Sequence, residues 1–78
     1  MYNVGEVVYM LSFEPLRKWF EKTGRQRTDM YIDCGFAPQT VAKVWGDRFP
    51  MRTDVIEKIC KTYGLRIEQV LVWKNEEE

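Results

Sequence analysis

The chain has 78 residues and a mass of 9.4 kDa, is 45% apolar, 31% charged and 14% aromatic, and balances twelve basic side chains against twelve acidic ones without a histidine. That suits one small domain around a single core, and the longest apolar runs, Val7 to Leu11 and Val70 to Trp73, are far short of the roughly 20 residues of a membrane-spanning helix. With no basic residue before Arg17 and with Glu6 inside the first apolar stretch, the start lacks the pattern of a secretory signal, so a cytoplasmic location is expected.

Val4 to Leu11 mixes β-branched and aromatic residues and reads as a strand or an extended arm. Met10, just before the first helix, is an alternative start for the natural product. Helix 1 opens at Ser12 to Pro15: Ser12 is the expected cap, Glu14 suits the positive end of the helix dipole, and proline is tolerated in a first turn. Phe13, Leu16 and Phe20 recur at helical spacing with Trp19 beside them, the charged residues from Glu14 to Lys22 take the other side, and Gly24 stops the helix. Thr28 and Asp29 repeat the start signal for a short helix from Asp29 to Cys34, ended by Gly35. Pro38 opens a third helix that runs to about Trp45, where Gly46 and Asp47 break it. Two short helices joined by Gly35-Phe36-Ala37 have the layout of a helix-turn-helix. Thr53 and Asp54 are the expected cap of helix 4, with Val55, Ile56, Ile59, Cys60 and Tyr63 at the helical period until Gly64. Leu65 to Trp73 reads as a last short helix or turn with Ile67, Val70 and Leu71 inward, and Lys74 to Glu78 as a frayed acidic end.

At 100° per residue, helix 3 gathers Ala37, Val41, Val44 and Trp45 on one side and turns Gln39 and Lys43 the opposite way, with Thr40 and Ala42 on the flanks. Glutamine matches adenine N6 and N7, lysine donates to guanine O6 and N7, and threonine offers a hydroxyl and a methyl that suits thymine. Zero net charge argues against a nucleic-acid partner, but its distribution does not. From Arg17 to Arg52 eight basic residues face four acids, while both flanks are net acidic. Nothing assembles an acid, a base and a nucleophile, no phosphate-loop or nucleophile-elbow motif is present, and Cys34 and Cys60 are too far apart for a local metal pair. An enzyme, a metal site, a cofactor and a small-molecule ligand are therefore not expected, and each cysteine is expected to act as a small buried hydrophobe.

From about Leu11 to Trp73 the sequence resembles the Cro and phage-repressor type of helix-turn-helix domain, the lambda-repressor-like or XRE-type regulators. It is most similar to their short stand-alone forms from Gram-positive bacteria and mobile elements. The resemblance rests on the helix order and on Thr28-Asp29-Met30, Cys34 to Val44, and Val55 to Cys60. It implies an all-α, five-helix domain over residues 11–73, with an N-terminal arm or short strand over 1–10 and a tail over 74–78. It further implies that Gln39, Thr40 and Lys43 face bases or nearby phosphates from a recognition helix of residues 38–44, with Pro38 at its start and Arg27 and Thr28 at a phosphate-binding helix 2 start. Arg25, Arg48 and Arg52 are further candidates for phosphates around that helix. Tyr31 stands where many members have alanine, Ala37 where they have a capping serine or threonine, and Arg66 where they have a cap before the last helix. The expected function is sequence-specific binding of double-stranded DNA by a transcriptional regulator, a repressor, acting as a homodimer.

For the dimer surface the candidates are Val70, Leu71, Val72 and Trp73, with Val7, Val8 and Tyr9 of the arm. The competing reading pairs arm and tail within one chain. A rival function is a protein-interaction module on the same fold: an antirepressor, an adaptor or an antitoxin.

Overall fold

Helix α1 (Glu14–Lys22) carries Leu16 and Phe20 into the core one turn apart, with Phe13 just ahead of it, and all three are fully buried. Met30 comes from α2 (Asp29–Asp33), Val41 and Val44 from α3 (Pro38–Trp45) and Ile59 from α4 (Thr53–Tyr63), with Cys34 and Val70 closing the cluster. A side chain of this kind contributes about 1.5–3 kcal/mol when fully buried, so this cluster dominates the favourable side of folding. Aromatic rings extend it: Phe49 stacks on Phe13 at 5.6 Å, and Phe20 meets Trp45 and Tyr63 edge-on, each at 5.1 Å. The computed structural model describes residues 9–75. Within them no helix is long and apolar enough to cross a membrane.

The expected all-α, five-helix fold needs correction. Among the described residues there are four α-helices, and the fifth is replaced by a single 3-10 turn, Ile67–Gln69, followed by a strand. Gln69 Oε1 accepts the Arg66 N–H at 2.8 Å and so caps the turn that Arg66 was not expected to cap. Beyond it Val72 and Trp73 carry strand-forming side chains and find a partner strand. Strand β1 (Tyr9–Ser12) pairs antiparallel with β2 (Val72–Asn75), in the register Tyr9↔Asn75, Met10↔Lys74, Leu11↔Trp73 and Ser12↔Val72. The expected arm is thus a strand from Tyr9, joined to the tail within one chain, and Lys74 and Asn75 belong to a strand rather than a frayed end. The remainder of the expected arm, including Val7 and Val8, and the end of the tail lie outside the described residues.

Residues facing each other across this pairing share one side of the sheet. Ser12 is buried and Lys74 reaches Glu14 at 2.8 Å, so the Ser12, Met10, Lys74 side faces the body. Tyr9, Leu11 and Trp73 stand on the other side and remain exposed, with Tyr9 stacked on Trp73 at 5.8 Å.

The helix starts differ from expectation in detail. Helix α1 begins after Phe13, not Ser12, yet Ser12 Oγ still accepts the Glu14 N–H at 3.1 Å. Thr28 makes no side-chain cap on α2; Asp29 Oδ2 reaches back to the Gln26 N–H instead. Arg52 occupies the cap position of α4, where Thr53 is already helical. The expected stops hold, with Gly24, Gly35 and Gly64 all at positive φ.

Candidate nucleic-acid interface

Helix α3 is amphipathic across its width. Val41 and Val44 are buried against the core, while Gln39, Ala42 and Lys43 are exposed and Thr40 is half-buried on the flank. Pro38 brings no N–H, the Thr40 N–H goes to Ala37 O at 3.0 Å, and the Gln39 N–H has no acceptor among the described residues. The start of the helix is therefore open to an acceptor from outside, as expected where four N–H groups lack helical partners. Lys43 forms no ion pair among the described residues, so its ammonium is available.

The other expected contacts fall into distinct groups. Arg27 and Thr28 are exposed ahead of α2, and neither backbone N–H has an acceptor among the described residues, whereas those of Asp29, Met30 and Tyr31 are taken by the 26–28 carbonyls. Arg48 is exposed just past α3, its N–H closing that helix on Lys43 O at 2.9 Å. Arg52 is exposed but paired with Asp54 at 3.0 Å. Arg25 lies with its guanidinium carbon 4.6 Å from the Trp19 ring and 5.8 Å from that of Tyr63. Of the expected dimer residues, Val70 is fully buried in its own core and Leu71 packs against that core, so Val70 has no surface to offer a second copy. Val72 and Trp73 remain exposed. Tyr31, in the alanine-like position, is exposed.

Sequence reasoning missed the residue that fixes how α3 sits on α1. Asp47, at φ 54° just beyond α3, accepts from Arg17 Nη1 at 2.8 Å, Arg17 Nη2 at 3.2 Å, the Phe13 N–H at 2.7 Å and Ser12 Oγ at 2.9 Å. Arg17 also donates to Trp45 O at 3.3 Å. Burial alone would raise the Asp47 carboxyl, but hydrogen bonds from Arg17, Phe13 and Ser12 outweigh it and hold the group below the usual carboxylate range. The signal was present in the helix-breaking Gly46-Asp47 pair, since aspartate tolerates a left-handed conformation better than most residues, but the partner 30 residues away had no local trace.

Beside this knot a groove of about 490 Å³ runs between α1 and the 23–28 connection. Arg17, Lys18, Arg25 and Arg27 line it, with Glu14 and Glu21 as the acidic members and Trp45 at the end of α3. Elsewhere, burial and then the hydrogen bond to Asp33 at 3.0 Å push the Tyr63 phenol well above its ordinary value. Burial likewise raises the free thiols of Cys34 and Cys60. No group of three metal-ligating side chains gathers among the described residues.

Residues 16–76 match the family described as Cro/C1-type HTH DNA-binding domain. The fold is similar to the crystal structure of transcriptional regulator VanUg, Form II, with a TM-score of 0.76 over 95% of this chain and 97% of that one at 18% identity. No curated protein sequence matches the chain.

Proposed function

Because the chain belongs to the Cro/C1-type helix-turn-helix DNA-binding family, we propose that it is a sequence-specific regulator that seats α3 in the major groove of double-stranded DNA and represses by occupying its site. The observation that carries this reading is the open face of α3: an amide at Gln39 and an ammonium at Lys43 are exposed side by side with Thr40 at their flank, while Val41 and Val44 anchor the opposite face. Gln39 and Lys43 read base edges, and Thr40 contacts a base or the adjoining phosphate. Arg27, Thr28, Arg48 and the start of α3 at Pro38 meet the backbone. Arg52 contributes less, because Asp54 already neutralises it.

A single module of this size contacts few base pairs, so two copies on half-sites about 34 Å apart supply the affinity. The exposed Tyr9, Leu11 and Trp73 face of the sheet supports pairing there, whereas Val72, paired with Ser12, lies on the other side of the sheet. Selection of bound sequences from a pool of random duplexes tests the reading. Enrichment of an inverted repeat with one-turn spacing is expected. A pool that stays random would move the function to a protein partner on the same fold.

A further inference from the structure

We infer that the groove between α1 and the 23–28 connection is the seat of one backbone phosphate of the bound duplex, with Arg25 as its ligand and Trp19 and Tyr63 as the positioning residues that aim it. This rests on the DNA-binding reading and adds to it a specific contact and its support. A guanidinium is planar, and its N–H donors all lie in the plane, so aromatic rings against its face leave the donor edge free. The Arg25 guanidinium carbon lies 4.6 Å from the Trp19 ring centre and 5.8 Å from that of Tyr63, and Arg25 itself lines the groove. The two rings brace each other at 5.4 Å, and Tyr63 is fixed in turn by its hydroxyl on Asp33 at 3.0 Å. A long side chain thus ordered in advance loses less freedom when it binds.

The charge of the groove points to an anion. Arg17 is matched by Asp47, and Lys18 by Glu14, whereas Arg25 and Arg27 form no ion pair among the described residues. Of the two carboxylates that line the groove, Glu14 is tied to Lys18 and Lys74, which leaves Glu21 to oppose Arg25 and Arg27. Trp45, the last residue of α3, lines the groove as well. A phosphate held there therefore sits beside the end of the proposed recognition helix and sets how far that helix runs along the major groove. The bidentate geometry of guanidinium on phosphate makes the contact directional rather than a diffuse attraction.

The test is equilibrium binding of a labelled random-sequence duplex, measured across a sodium chloride series for the wild type, Arg25→Ala, Trp19→Leu and the double variant. Arg25→Ala is expected to weaken every duplex alike and to flatten the salt dependence by about 0.9, the release of one phosphate's counterions. Trp19→Leu should weaken binding when Arg25 is present and cost nothing more once it is absent, while a merely structural tryptophan would cost the same in both backgrounds. Should Trp19→Leu fail to fold, Arg25→Lys decides instead, keeping the salt slope but losing affinity several-fold because an ammonium neither stacks nor forks. Glu21→Gln should tighten binding. An unchanged slope in Arg25→Ala, with the wild type binding normally, overturns the phosphate seat alone. Failure of the wild type to bind any duplex at low salt overturns the DNA-binding reading beneath it.

Discussion

Asp47 joins three parts of the chain through one carboxylate: it takes the Phe13 N–H at the head of α1, the Ser12 hydroxyl at the end of β1 and both Arg17 donors. The lowered pKa of its carboxyl turns this geometry into a pH dependence. A carboxylate depressed on folding adds stability above its unfolded value of about 3.9, and that stability is lost as pH falls through the folded value. Asp47→Asn keeps the shape and the tolerance for positive φ but loses the charge. We expect it to cost about 1–3 kcal/mol at neutral pH, with the gap to wild type closing in acid below about pH 4, in denaturant unfolding followed across pH. Glu14, lowered first by its bond to Lys74 and then by Lys18, works in the same direction. At the proposed reading face, Gln39→Ala should cost about 1–3 kcal/mol on the preferred duplex and relax one base position, whereas Arg48→Ala should weaken all sequences equally. Equal, sequence-blind losses from both would remove base reading from Gln39.

Among the elements, α3 lacks a side-chain cap although Ala37, at φ −72° and ψ 158°, already has the extended conformation of a cap residue. Ala37→Ser should therefore raise stability by about 1 kcal/mol, seen as a higher melting temperature. The helices were legible because their evidence is local. Leu16 and Phe20, Val41 and Val44, and the stops at Gly24, Gly35 and Gly64 all lie within a few residues of the feature they define, as does the outward stripe of Gln39 and Lys43. The last segment misled for the opposite reason. Val70 and Leu71 turn inward whether the chain there is a helix or a 3-10 turn leading to a strand, and only β1, some 60 residues earlier in sequence by the pairing of Leu11 with Trp73, makes strand the better solution. The same distance hid Arg17's tie to Asp47 and left Val70, which closes the core, among the dimer candidates.

For the whole molecule, a net charge of zero conceals a division of labour. The acids that balance it cluster towards the two ends of the sequence, and the basic middle supplies α3 and the groove beside it. The proposed dimer belongs to this scale too. The exposed Tyr9–Trp73 stack stands on the outer side of the sheet with Leu11 beside it. Trp73→Ala is expected to leave the fold intact while weakening self-association by about 2 kcal/mol or more, read by sedimentation across concentration. If the variant associates as well as wild type, the copies pair elsewhere.

The most direct test of the account is a titration of the selected duplex and a scrambled one against the wild-type chain at rising salt. Steep loss of affinity on both, with the selected duplex tighter throughout and that advantage erased by Gln39→Ala with Lys43→Ala, is the outcome expected of a protein that reads bases with α3. Equal affinity for the two duplexes, untouched by those substitutions, would contradict it.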